Sequence, residues 1–345
     1  MTDQPIQYAE SSDGTRVAYR RFGSGRAVVF VGGALSTAKA AGPLAAAFAE
    51  AGLQGVTYDR RGRGDSGDTA PYAPEREAED LRAVIEAVGS AAVVLGHSSG
   101  AVLSLFAAAE GVPMTHLFLS EPPLRFGQNE PPADLADRLR VLVDKGENEE
   151  AVLLFLREEV GMPEPAIEQL RASAAFAGLV PLAQTTVYDN LLVASVSTPT
   201  AAMLGVDVPT TLIRGDPTVP LIVTAVERLA AAMPGTELVV VPSHTTMAST
   251  PPRPFERCAP ESTDHRCARR PTVWRARAAW PGGAPALDQM RRVRRWSCRS
   301  CRAEPVVVDE EASANSTDLA MHGPQPLNPR ESWPRRTPLL GHRSR

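Results

Sequence analysis

Cysteine and tryptophan are absent from the first 253 residues of this 345-residue chain. No apolar run approaches the roughly 20 residues that a membrane-spanning helix needs. The N-terminal stretch MTDQPIQYAE also lacks the basic and apolar regions of a secretory signal. These absences predict a cytoplasmic protein that does not associate with membranes and has no structural disulfides.

Lysine is absent from residues 253–345, although this segment holds 18 of the 36 basic residues and only 10 of the 40 acidic ones. Its net charge is therefore +8, against −12 for residues 1–252. The segment is rich in proline and has no sustained apolar period, so it cannot bury enough surface to offset its ordering entropy. We expect residues 253–345 to be a disordered tail or the product of a shifted reading frame.

Short apolar runs recur along residues 1–252 and predict buried parallel strands. They are AVVFVGG, GVTYD, AAVVLG, THLFLS, TTLIRG and ELVVVP. Helical patterns near 36–51, 75–88, 98–110 and 219–233 alternate with them. IQYAES and TRVAYRRF, joined by SDGT, indicate a preceding hairpin. The expected fold is α/β, with a mostly parallel eight-stranded sheet covered by helices on both faces.

Residues 124–200 interrupt the alternation with helical patterns and no convincing strand. We interpret them as a helical cap inserted into a core formed by residues 1–123 and 201–252. The cap is rich in leucine and phenylalanine, which favours a partly apolar small-molecule substrate, although the same residues are also typical of packing between cap and core.

Two adjacent serines stand in VVLGHSSGAV, where GHSSG fits G-x-S-x-G with Ser98 at its centre. A nucleophile at a sharp turn between a strand and a helix needs residues without side chains where the two elements approach. Ser99 would open the helix and present its backbone N–H to a developing oxyanion. The motif therefore predicts Ser98 as nucleophile and Ser99 as an oxyanion donor.

Together with VVFVGGALS and YDRRGRGDSG, the GHSSG motif resembles the α/β-hydrolase superfamily over residues 5 to about 252. The resemblance implies that the Ala34 N–H is the second oxyanion donor. Many members have His-Gly where this chain has Gly32-Gly33, but the role needs only backbone. It also implies a serine hydrolase that uses no cofactor or metal and acts most simply on a small carboxylic ester, as an esterase does.

A serine nucleophile needs a base, oriented by a carboxylate. Residues 1–252 contain three histidines, and of these His244 follows the last strand, where the family has its base. The family's acid most often follows the seventh strand, which favours Asp216, although Thr218 occupies the position that the usual spacing gives to the acid. Glu121, at the end of the sixth strand, is the alternative.

Three other interpretations compete with the hydrolase. Gly62, Gly64 and Gly67 spell G-x-G-x-x-G, but prolines follow where a dinucleotide site needs a helix. The four cysteines and His265 suggest zinc, with C-x-x-C at 298–301 as half a site and unsuitable spacing for the other half. The stretch RRVRRWSCRSCR suggests nucleic-acid binding, which we do not favour because no structured module surrounds it. The rival function is therefore a catalytically idle hydrolase fold that binds a partner or nucleic acid through its basic tail.

Overall fold

The computed structural model describes residues 4–89 and 92–242 of the chain. Within them lies an eight-stranded sheet with strand order β1-β2-β4-β3-β5-β6-β7-β8. The strands are β1 (Gln7–Glu10), β2 (Arg16–Phe22), β3 (Ala27–Val31), β4 (Gln54–Tyr58), β5 (Val93–His97), β6 (His116–Ser120), β7 (Thr210–Asp216) and β8 (Glu237–Pro242). The pairs β1/β2 and β2/β4 are antiparallel, and all other neighbouring pairs are parallel. The predicted hairpin and mostly parallel sheet are confirmed.

Alternate residues of the central strands belong to two apolar clusters, one on each face of the sheet. In β3, Val29 and Val31 join the larger cluster, whereas Val28 and Phe30 join the smaller one. This alternation follows from the two-residue period of a strand, and it explains why the strands appear in the sequence as continuous apolar runs.

Helices cover both faces of the sheet. The helices are α1 (Ala38–Glu50), α2 (Pro74–Ala87), α3 (Ser99–Ala109), α4 (Leu135–Asp144), α5 (Asn148–Glu158), α6 (Glu164–Arg171), α7 (Ala183–Ser195), α8 (Ala201–Leu204) and α9 (Pro220–Ala232). Helix α1 packs on the smaller cluster, and α2, α3 and α9 pack on the larger one. No helix of the described residues is long and apolar enough to span a membrane.

The segment between β6 and β7 is helical, as expected. Helices α4 to α7 enclose an apolar core of their own, which includes Leu139, Phe155 and Val187. Ala34, Leu35 and Tyr72 of the sheet's loops pack against this core. The insertion therefore lies against the loop that follows β3. Helix α7 lies outside the three patterns that predict helices in this segment, which are DLADRLRVLVDKG, EEAVLLFLREEVG and PAIEQLRASAAF. It contributes Asp189 to the site described below.

Candidate active site

Ser98 lies at a strained turn between strand β5 and helix α3. Its backbone has φ 54° and ψ −126°, a conformation that residues other than glycine rarely adopt. The Ser98 N–H donates to the carbonyl of Ser120 at 2.9 Å, and the Ser98 carbonyl accepts from the Ala101 N–H at 2.8 Å. Strain of this kind concentrates at functional sites, where the surrounding structure holds it in place.

The glycines on either side of Ser98 allow the helix to approach the sheet. A Cβ atom on Gly96 would lie 2.4 Å from the carbonyl oxygen of Gly100. One on Gly100 would lie 2.3 Å from the carbonyl oxygen of Val31 and 2.5 Å from that of Gly32. All three distances are too short for a real contact, so no side chain fits at either position. This is the physical reason for the glycines of GHSSG.

The loop after β3 packs directly against Ser98. A Cβ atom built on Gly33 would lie 3.0 Å from the Ser98 Cβ and 3.6 Å from the Ser98 Oγ. Ala34, the next residue along the loop, is partly buried, and Leu35 has a positive φ of 52°. Ser99 is the first residue of α3, so its N–H belongs to the unpaired first turn of the helix. The structure therefore brings Ser98, Ser99 and the loop that carries Ala34 together.

Glu121 lies directly after β6, so it stands at the carboxyl ends of the parallel strands, as Ser98 does. It has a positive φ of 52°, and its N–H donates to the carbonyl of Ile213 at 2.9 Å. Its Oε1 accepts from the N–H of Gly215 at 2.9 Å. The carboxylate is therefore held against the end of strand β7.

Asp216 is the last residue of β7 and is exposed. The peptide bond that follows it, to Pro217, is cis. In the sheet register Asp216 pairs with Pro242, the last described residue of the chain. Both candidate acids therefore lie at the carboxyl ends of neighbouring strands, where open parallel sheets form their sites.

His244 lies outside the described residues. Of the histidines within them, His116 forms a hydrogen bond with the Thr211 Oγ1 at 3.0 Å and stacks on Phe118. The His97 Nδ1 lies 3.3 Å from the Ser120 Oγ. Burial lowers the pKa of His97, and the charge of Glu121 opposes that shift.

In the glycine-rich loop after β4, the backbone around Gly64 packs against the carboxylate of Asp59, which begins the same loop. Asp59 accepts the N–H of Ala38 at 2.6 Å on Oδ1 and the N–H of Asp65 at 3.2 Å on Oδ2. Gly64 has a positive φ of 53°, and a Cβ atom there would lie 2.5 Å from the Asp59 Cγ. These contacts account for the glycine at position 64 without a bound phosphate.

No group of three or more potential metal ligands occurs within the described part of the chain. The four cysteines, His265 and the RRVRRWSCRSCR stretch lie outside it. The zinc and nucleic-acid hypotheses for those residues therefore remain predictions.

A family model described as "Alpha/beta hydrolase family" matches residues 28–261, which include the sheet from β3 onwards and the Ser98 turn. The chain belongs to the alpha/beta hydrolase family. An alpha/beta hydrolase from Sphaerobacter thermophilus DSM 20745 is 42% identical to it over 70% of this chain and 95% of the other, with a TM-score of 0.67. No curated protein matches the chain.

More distant solved structures of this alpha/beta hydrolase's fold include two with named activities. The enol-lactonase from Burkholderia xenovorans LB400 is 20% identical over 68% of this chain and 91% of the other, with a TM-score of 0.52. A thermophilic esterase from Thermogutta terrifontis is 19% identical over 69% and 90%, with a TM-score of 0.50. At these identities the likeness concerns the fold alone.

The sequence did not predict that three charged residues lie next to the Ser98 turn of this alpha/beta hydrolase. Arg60 and Arg63 follow β4, and Asp189 comes from α7; all three side chains are about 1% exposed. The available signal was YDRRGRGDSG, where three arginines stand within ten residues of a segment otherwise interpreted as a loop. Nothing in the sequence around Asp189 indicated that it reaches those arginines.

Proposed function

We propose that this alpha/beta hydrolase cleaves small carboxylic esters through a serine nucleophile. One observation carries the proposal: Ser98 has a strained backbone at the strand-to-helix turn, and the loop after β3 approaches so closely that a Cβ atom on Gly33 would lie 3.0 Å from the Ser98 Cβ. Family membership supports hydrolysis as the reaction class. The named lactonase and esterase share only the fold with this chain, so they do not identify its substrate. A small carboxylic ester is the simplest substrate for a serine nucleophile.

In the proposed mechanism, the Ser98 hydroxyl attacks the ester carbonyl while His244 removes its proton. The carbonyl oxygen becomes an oxyanion, which the backbone N–H groups of Ala34 and Ser99 bind. The tetrahedral intermediate then expels the alcohol, which takes the proton from His244. Water, activated by the same histidine, attacks the acyl-enzyme and releases the carboxylic acid and free Ser98.

The identity of the acid that orients His244 is also a proposal, with Asp216 as the first choice and Glu121 as the alternative. The pairing of Asp216 with Pro242 supports the first choice, since Pro242 stands two residues before His244 in the sequence. The hydrogen bond from the Gly215 N–H supports the alternative, because it fixes a carboxylate at the same edge.

The test is hydrolysis of an activated ester such as p-nitrophenyl butyrate by the full chain and its variants. We expect Ser98→Ala to abolish turnover and Ser173→Ala, at an exposed serine in the helical insertion, to leave it unchanged. A Ser98→Ala protein that keeps the wild-type kcat would refute the proposal.

Asp216→Asn and Glu121→Gln are compared in the same assay. The variant that removes the acid is expected to lower kcat by at least about tenfold. If neither does so, both assignments of the third triad member are wrong.

A further inference from the structure

A buried network of charged groups lies behind the loop that carries the proposed oxyanion donor. It consists of Arg60, Arg63, Glu77, Ser99 and Asp189, and we call it the Asp189 network. Arg60 binds Glu77 through two nitrogens at 2.6 and 2.7 Å. Asp189 on helix α7 receives Arg60 Nη1 at 2.9 Å and Ser99 Oγ at 2.8 Å on one oxygen, and Arg63 Nη2 at 2.7 Å on the other.

The two arginines also donate to the carbonyls of the loop after β3. Arg63 Nη1 donates to the Gly33 oxygen at 2.7 Å, and Arg60 Nη1 donates more weakly to the Gly32 oxygen at 3.3 Å. The Ser36 hydroxyl donates to the Gly33 oxygen as well, at 2.7 Å. The Gly33 carbonyl is therefore held by one charged and one neutral donor.

The Gly33 carbonyl and the Ala34 N–H belong to the same peptide unit. A trans peptide is planar, so its C=O and N–H point in opposite directions, and a donor that fixes one fixes the other. A cationic donor on the carbonyl also polarises the unit and strengthens the hydrogen bond that its N–H can donate. Arg63 therefore acts on the direction and the strength of the Ala34 N–H.

Asp189 holds Arg63 in the orientation that this contact needs. Its two oxygens bind one nitrogen each of Arg60 and Arg63, and its carboxylate, with that of Glu77, balances the two buried positive charges. Burial alone would raise the pKa of Asp189, but Arg63 and Arg60 lower it below its usual value, so the group is ionised. The same carboxylate receives the Ser99 hydroxyl, which links it to the residue that provides the other proposed donor.

We propose that Asp189 and Arg63 are positioning residues for the oxyanion hole, so that the Ala34 N–H is correctly aimed only while helix α7 is packed in place. The proposal rests on the serine-hydrolase function proposed above. Neither side chain touches the reacting atoms in this scheme. Their effect is confined to the transition state, in which the oxyanion forms.

The experiment compares Asp189→Asn with Asp80→Asn in the full chain. Asp80 is an equally buried carboxylate whose two oxygens bind Arg61 at 2.8 Å each. Arg61 also binds Asp13 at 2.9 Å, so the loss of Asp80 removes one of the two carboxylates of a buried arginine, as the loss of Asp189 does for Arg60. Thermal unfolding, kcat and KM for p-nitrophenyl butyrate, and inhibition by a short alkylboronic acid are measured. The boronic acid forms a tetrahedral adduct with a nucleophilic serine and therefore reports on the oxyanion hole, which melting temperature does not.

We expect Asp189→Asn to lower kcat by about 10- to 100-fold with KM within about threefold, and to weaken boronic acid inhibition in proportion to kcat. Asp80→Asn should lower the melting temperature comparably and keep kcat within about twofold. Should Asp189→Asn not fold, Arg63→Lys decides, since lysine keeps the charge beside Asp189 but lacks the fork that reaches both Asp189 and Gly33. It is expected to show the same loss of kcat and of inhibitor binding.

Two results overturn the inference. One is a kcat within about threefold of wild type in Asp189→Asn, or in Arg63→Lys where that variant decides. The other is an equal loss of kcat in Asp80→Asn, which would show that the effect is one of general stability. If Ser98→Ala is inactive while these variants keep wild-type kcat, only the positioning role fails. If Ser98→Ala retains activity, the proposed function itself fails.

Discussion

A methyl group added at Gly100 tests how closely helix α3 must approach strand β3 for Ser98 to function. The new Cβ would lie 2.3 Å from the Val31 carbonyl oxygen and 2.5 Å from the Gly32 carbonyl oxygen. Contacts under 3.0 Å essentially never occur for real Cβ atoms, so the helix or the loop must move by at least about 0.7 Å. Both obstructing atoms are backbone, and a change of side-chain rotamer cannot relieve the clash.

The displacement falls between the Ser98 turn and the loop with the Ala34 N–H. A misplacement of about 1 Å at a reacting centre costs roughly 100-fold in rate, so Gly100→Ala should lower kcat by at least about tenfold. Overpacking should also lower the free energy of unfolding by about 1–3 kcal/mol. The melting temperature should fall by about 2–4 °C for each kcal/mol.

The assay pairs kcat for p-nitrophenyl butyrate with thermal unfolding followed by circular dichroism. Gly178→Ala is the matched control, since a Cβ atom there meets nothing within 4 Å. It is expected to leave both quantities unchanged. Wild-type kcat and melting temperature in Gly100→Ala would refute the tight packing of α3 on β3, and lower stability with unchanged kcat would refute its link to catalysis.

Three further predictions concern stability and the extent of the active chain. Glu77→Gln removes one charge from a bidentate pair with Arg60 in which both side chains are only 1–2% exposed. Urea unfolding should therefore show a free energy of unfolding lowered by about 3–5 kcal/mol. A loss below about 1 kcal/mol would contradict this. Burial alone would raise the pKa of Asp13, but hydrogen bonds, first among them those from Thr15, lower it to about 2. The Asp13 charge thus stabilises the fold above the unfolded-state pKa near 3.8, and this contribution disappears as the pH falls towards 2. Asp13→Asn should therefore lose less stability than wild type across that pH window, and equal losses would argue against the shift. Truncation after Glu261, where the family match ends, should preserve esterase activity; loss of activity in a soluble truncated protein would show that the tail is needed.

The strands and most helices could be predicted because their patterns are local. Each central strand is a short apolar run bounded by turn residues, since both faces of the sheet are covered. The Ser98 turn could also be predicted, because the close approach of helix and sheet leaves no space for side chains at Gly96 and Gly100. Steric demands of this kind remain visible in a single sequence.

Helix α7 and its contribution to the site could not be predicted in the same way. Its segment AQTTVYDNLLVAS is buried around most of its circumference, so it lacks the alternation of apolar and polar faces that indicates a surface helix. Thr185, Thr186 and Val187 also have modest helix propensity. Asp189 stands 126 residues from Arg63 along the chain, and only the fold brings the two together. The roles of His244 and of either acid stay predictions.

Reaction with a fluorophosphonate, followed by peptide mass spectrometry, tests the central claim most directly, because the reagent bonds covalently to an activated serine. The account predicts one label per chain, located on Ser98, with Ser99 unmodified and esterase activity lost in step with labelling. A protein that hydrolyses the ester but carries its label on another serine, or carries none, would contradict the account.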